Sequence, residues 1–255
     1  MYTKFLLTLL ALSLLFPCHS SAADYKMATT NWPPFYADNL KNGGPLTEIV
    51  TEAFKRMGHS TVTEFLPWTR ARRKVLIGEA DIILGAYHSD QRAEKHHFSA
   101  PIMMVDVALI AHKKLGIHSF KNLTELTPYS IGVSKGWVNS PEFDRANYLS
   151  KDVASNQVLN IRKLARNRVD IISISSEVFK YELAQNNLSG TLSQYVFLEP
   201  LLSKSGLRLM MRKSHINHEK VISEFNSTLE FMKKDGSYQR SLKKHHIDPE
   251  SAGCP

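Results

Sequence analysis

Eleven histidines, twenty-four acidic residues and two cysteines are what this 255-residue chain offers for catalysis or metal binding. His88, Glu48 and Glu177 have the chemistry of a general acid or base, but no nucleophile beside a base and no acidic pair is legible. His96-His97 and His245-His246 are adjacent, and neighbours on a helix point about 100° apart. His215 and His218 add no closed ligand set of tetrahedral spacing. Surface histidines account for them, and neither an enzyme, a metal site nor a cofactor is expected.

The aromatic residues are more informative. Trp32 follows an apolar stretch in Asn31-Trp32-Pro33-Pro34-Phe35, Trp68 follows Pro67, and Trp137 lies in Ser134-Lys135-Gly136-Trp137. An indole face offers a large apolar surface and attracts a cation by ~0.5–2 kcal/mol. What matters is which elements carry these residues.

Lys26 to Thr30 reads as a strand ended by two prolines, which cannot donate to a ladder. Leu46, Ile49, Val50, Ala53, Phe54 and Met57 recur at helical spacing, closed by Gly58. Thr61 to Leu66 is a second strand, Pro67 to Ile77 a helix, and Ala80 to Ala86 a buried third strand. This β-α-β-α-β order predicts a parallel sheet, with Asn31 to Tyr36, Leu66 to Arg70 and Tyr87 to Arg92 converging at the strands' carboxyl ends. The order recurs after Val105 to His112, through a strand at 130–133, a helix at about 157–167 and a strand at 170–174. Leu207 to Met211 is a further strand, followed by a helix over 220–233 and a last one ending before His245.

Lys4, the apolar run Phe5 to Phe16, and Ser20-Ser21-Ala22-Ala23 have the order of a cleavable signal peptide, so residues 1–23 are expected to be removed and the chain to be periplasmic. Cys18 stands where a lipoprotein signal would place its acylated cysteine, but Phe16 and Pro17 are not the small residues such a signal prefers. Without the leader, Cys254 is left with no partner for an intramolecular disulfide. Lys4 is the leader's one charged residue, so the net charge falls only from +8 to +7. That excess is scattered, with Arg70, Arg72, Arg73 and Lys74 together on one helix. Secretion and the lack of zinc-finger or basic-zipper spacing argue against a nucleic-acid partner.

Four stretches in order, Trp32-Pro33-Pro34-Phe35, Trp68 with Gly78-Glu79-Ala80-Asp81, Gly85 through Arg92 with Phe98-Ser99-Ala100-Pro101, and Asp235-Gly236-Ser237-Tyr238-Gln239, give a combined match. By these the mature sequence resembles family 3 extracellular solute-binding proteins of the amino-acid ABC transporter type. The resemblance implies a periplasmic-binding-protein-like α/β fold: two lobes with mixed sheets joined by a two-strand hinge. Lobe 1 would comprise 24–108 plus 205–255 and lobe 2 109–204, with crossings near Val107 to Ala111 and Ser203 to Leu207. A monomer that closes on a small solute and delivers it to the membrane permease of an ABC importer is the implied function. A sensory module reporting to a membrane receptor, or a dehydratase-like enzyme on the same fold, are the alternatives.

The resemblance also assigns roles. Trp32 and Trp68 would hold the ligand's body, Arg92 would grip its carboxylate with a planar two-point fork, and Gly136 would bring lobe 2 backbone to the ligand. Lys135 and Trp137 flank that glycine, Trp137 replacing a small hydroxyl residue, and Arg70 and Lys135 are further anion contacts. Tyr87 or His88 occupies the place of another small hydroxyl residue. Ser175, five residues after Asp170, stands where relatives carry the aspartate that binds the ligand's ammonium, with Glu177 two residues on.

Overall fold

The computed structural model describes residues 24–185 and 191–249; the leader, Cys18 and Cys254 lie outside them. The first strand, β1 (Asp24–Thr29), is followed by the turn holding Trp32, and Gly44 then leads into α1 (Pro45–Arg56) with proline at its first position. Leu46, Ile49, Val50, Ala53 and Phe54 form the buried stripe of α1. Next come β2 (Ser60–Phe65), α2 (Trp68–Ile77), capped by left-handed Gly78, and β3 (Ile82–Ala86), buried throughout. The short α3 (Asp90–Ala93) and β4 (His96–Phe98) lead to the long β5 (Met103–His112).

The second half contains β6 (Ser130–Ser134), α4 (Pro141–Arg145), β7 (Ser150–Ala154), α5 (Gln157–Ala165), β8 (Ile171–Ser175) and α6 (Ser176–Gln185). After β9 (Tyr195–Phe197), the long β10 (Ser203–Arg212) leads to α7 (His218–Lys234) and α8 (Ser237–Lys244). Hydrogen bonding runs in the order β2-β1-β3-β10-β5-β8-β6-β7, with β4 on β10 and β9 on β5.

The β-α-β-α-β unit forms the parallel sheet its pattern predicts, β1 lying between β2 and β3. A second parallel set places β6 between β7 and β8. Two antiparallel strands connect them. Residues 203–207 of β10 pair with 103–107 of β5, while 208–211 of β10 pair with β3 and 107–111 of β5 pair with β8. This is the two-lobed, mixed-sheet α/β fold. The first crossing therefore lies at Met103–Val107, earlier than the Val107–Ala111 expected, because from Val107 onward β5 is already laddered to β8.

Gly85 shows how the fold seats the first loop. Its φ is +81°, and a Cβ there would lie 2.5 Å from the Tyr36 ring. With glycine, Tyr36 packs closely against β3 and donates its hydroxyl to the Gly85 carbonyl at 3.2 Å. That contact holds the Trp32–Tyr36 turn over the end of the sheet.

Candidate functional site

The three tryptophans of the sequence meet at the seam between the lobes. Trp32 projects from the turn after β1 and is 2% exposed, packed on Phe35 and Tyr36. Trp68 is the first residue of α2. Trp137, half-buried on the loop after β6, enters from the other lobe. Its ring lies 5.2 Å from Trp32 and 5.5 Å from Trp68, tilted by 40° and 34°. Tyr87 closes one side edge-on, 6.3 Å from Trp137 and 5.9 Å from Trp32.

Hydrogen bonds span the same seam. The Trp32 Nε1 donates to Oε1 of Gln157 at 2.7 Å, and the Trp68 Nε1 donates to the Gly136 carbonyl at 3.0 Å. Arg92 donates through Nη2 to that same carbonyl at 2.9 Å and through Nη1 to the Tyr87 carbonyl at 2.7 Å. The guanidinium carbon sits 5.4 Å over the Trp68 ring. Ser89 caps α3 by accepting from the Arg92 amide, which fixes where the side chain starts. Gly136 adopts φ +75°, a conformation L side chains rarely take, and its carbonyl rather than its amide meets these donors.

The seam gathers two guanidinium groups, with Asp144 acting on Arg92 and Glu177 on Tyr87 through space. Arg92 is 6% exposed and, among the described residues, has no ion-pair partner. Burial, with Arg72 adding to it, lowers its pKa to about 10. Burial also lowers that of Arg72, which likewise has no ion-pair partner among the described residues. A carbonyl dipole satisfies a guanidinium's geometry but not its charge, so this pair attracts an anion. The Tyr87 hydroxyl is buried with no hydrogen-bond partner. Its pKa is raised by burial and further by Tyr36 and Glu177.

Trp32, Trp68, Tyr87, Arg92, Gly136 and Trp137 thus come together in the structure. Between Tyr87 and His88, it is Tyr87 that reaches the seam; His88 is exposed and packs edge-on against Phe98 at 4.9 Å. Strand alternation continued past the end of β3 separates them. Arg70 and Lys135 are exposed and do not join the cluster; Arg72, at i+4 from Trp68, has its Nη1 3.4 Å from where a Cβ on Gly136 would be. Ser175 is buried and donates to Glu177 at 2.8 Å. Gln157, the partner of Trp32, carries no local sequence signal beyond following the N-cap Asn156.

A hollow of about 1010 Å³ opens outward from the seam, flanked by Trp32, Trp68, Trp137, Gln157, Arg162 and Tyr181. Elsewhere His97 and His218 meet, Nδ1 to Nδ1 at 2.9 Å, with a Glu219 oxygen within 4.8 Å. That is an imidazole N–H···N hydrogen-bond distance, at the N-terminus of α7, where the helix dipole opposes a cation. Among the described residues no helix is long and apolar enough to cross a membrane.

No curated protein matches the chain in sequence. Among solved structures it is similar to an arginine periplasmic binding protein from Legionella pneumophila, at 20% identity and TM-score 0.73, covering 88% of this chain and 100% of that one. It is similar also to a histidine kinase sensor domain, at 17% identity and TM-score 0.76, covering 89% and 98%. A third is the glutamate-bound ligand-binding core of GluR0 from Nostoc punctiforme, at 14% identity and TM-score 0.71, covering 86% and 98%. At such identities these likenesses carry the fold alone. The family model of the bacterial extracellular solute-binding proteins, family 3, matches residues 25–248, and the chain belongs to that family.

Proposed function

We propose that the protein is exported through its cleaved leader and, in the periplasm, binds a small carboxylate-bearing solute for delivery to the permease of an ABC importer. Lobe 1 (24–108 with 205–255) and lobe 2 (109–204) close about the paired segments of β5 and β10, where a few residues absorb the backbone change. The observation that carries this reading is Arg92, a buried guanidinium at the interlobe seam with no ion-pair partner among the described residues and tryptophans around it. The ligand's carboxylate takes the two donors that Arg92 now points at carbonyls. Its body takes the space between Trp32 and Trp68. Binding of this kind does not depend on catalytic groups.

A thermal-shift panel of amino acids, dicarboxylates, polyamines and aromatic acids on the exported protein tests this. A solute at 100 times its dissociation constant adds about 2.7 kcal/mol to stability. At least one carboxylate is expected to raise the melting temperature by several degrees. A panel in which only polyamines act, or nothing does, would overturn the proposal.

A further inference from the structure

We infer, building on the reading of the seam as a solute site, that Gly136-Trp137 is a tethered surrogate of the ligand, and that the ligand itself is a planar aromatic carboxylate. This dipeptide occupies one Arg92 donor and the aromatic slot that a ligand would use. The Gly136 oxygen accepts from Arg92 Nη2 and from Trp68 Nε1, as a carboxylate oxygen would. The indole of Trp137 fills the slot between Trp32 and Trp68, with the edge of Tyr87 against it. The aromatic faces are matched to an aromatic guest, since tilted ring contacts at these distances favour another ring over an alkyl chain.

Two features weight the seam towards an anionic guest. Ser175 stands at the strand end in place of an aspartate and donates to the Glu177 carboxylate. Arg72 and Arg92 have no ion-pair partner among the described residues. The unpartnered Tyr87 hydroxyl marks a polar contact that the surrogate leaves unmade and the true ligand completes.

Covalent geometry sets the size of the guest. Between the Gly136 carbonyl carbon and the Trp137 ring stand three atoms: the amide nitrogen, Cα and Cβ of Trp137. An indole with three methylenes before its carboxylate, indole-3-butyrate, spans the same path, whereas indole-3-acetate is two atoms short. Because surrogate and ligand exclude each other, the apparent affinity is reduced by the fraction of molecules whose seam is free.

Calorimetry with indole-3-butyrate, indole-3-acetate and tryptamine on the wild type and Trp137→Ala tests the inference. Trp137→Ala is expected to bind the butyrate about tenfold or more tighter than the wild type does, to prefer it to the acetate, and to ignore tryptamine, which lacks the carboxylate. Trp137→Phe keeps a smaller ring and should fall between; should Trp137→Ala lack a cooperative melting transition, this variant carries the comparison. If wild type and Trp137→Ala bind the butyrate equally, Trp137 does not compete for the site and the surrogate is refuted. If neither binds any aromatic carboxylate, or Trp137→Ala prefers tryptamine, the ligand class is wrong. In each case the panel of amino acids and dicarboxylates still decides separately whether the seam binds a solute.

Discussion

Replacing Arg92 separates binding from folding more cleanly than any other change. Arg92→Ala removes donors at 2.7 and 2.9 Å and a cation from over the Trp68 ring. Losing such a partner of a ligand carboxylate in a closed cleft costs roughly 2–5 kcal/mol, or about 30-fold to several thousand-fold in affinity. The fold itself should lose less. The guanidinium is buried with no ion-pair partner among the described residues, and the cost of keeping it there, visible in a pKa lowered by burial to about 10, offsets much of what its hydrogen bonds contribute, each ~1.5–3 kcal/mol for a charged donor. The variant should melt within a few degrees of the parent while calorimetry with the panel's best carboxylate shows near-complete loss of binding. Arg92→Lys should recover only part, since an ammonium restores charge but not the planar fork. Binding by Arg92→Ala within threefold of the parent, with a normal melting transition, would refute the assigned grip.

Gln157→Ala breaks the 2.7 Å bond to Trp32 across the seam, and X-ray scattering of the solute-free variant should report a larger radius of gyration than the wild type. Gly136→Ala places an L side chain at φ +75°, at a cost of ~1–2 kcal/mol, and should loosen the Gly136 carbonyl's bonds to Trp68 and Arg92, read in the same assay. Glu48 joins α1 to the end of α8 by accepting from Lys244, His245 and Asn42; although burial acts to raise its pKa, these hydrogen bonds bring it from 4.5 to about 2. A carboxylate lowered on folding stabilises above its unfolded pKa, so denaturant titrations should show this contribution lost as pH falls from about 4.5 towards 2, and absent in Glu48→Gln. His96, buried and lowered from 6.5, adds an earlier loss as pH falls below about 6.5, since the unfolded chain takes up its proton first. Intact mass of the exported protein should begin near Ala23 or Asp24; a species starting at acylated Cys18 would contradict the cleaved, untethered form.

Much of this was legible because it is local. The stripe Leu46-Ile49-Val50-Ala53-Phe54 and the unbroken apolar β3 announce helix and buried strand through their periods, and proline and glycine mark where α1 and α2 begin and end. What periodicity cannot carry is pairing between distant segments. The crossing at Met103–Val107 depends on which residues of β10 ladder to it. The short β4 and α4 hold too few residues for a period to register, and β7, though as long as β3, lacks the unbroken apolar run that marks a buried strand. At the site, Trp32, Trp68 and Arg92 could be placed at convergent strand ends. Gln157 was invisible because its role is a bond to a residue 125 positions away. Arg70 belongs to the Leu66 to Arg70 stretch that converges on the site, but the i, i+4 spacing from Trp68 puts Arg72 rather than Arg70 on the seam side of α2. That Gly136 contributes its carbonyl, and Trp137 its ring, to the other lobe's ligand groups follows only from seeing the lobes together.

Tryptophan emission during solute titration tests the central claim most directly, since every tryptophan in the sequence lies in this one seam. With a non-absorbing carboxylate that raises the melting temperature, emission should change in step with binding, saturating at the calorimetric dissociation constant, as Trp137 leaves its place between Trp32 and Trp68. A carboxylate that stabilises the protein and saturates by calorimetry while emission stays constant would bind elsewhere, and would contradict the account.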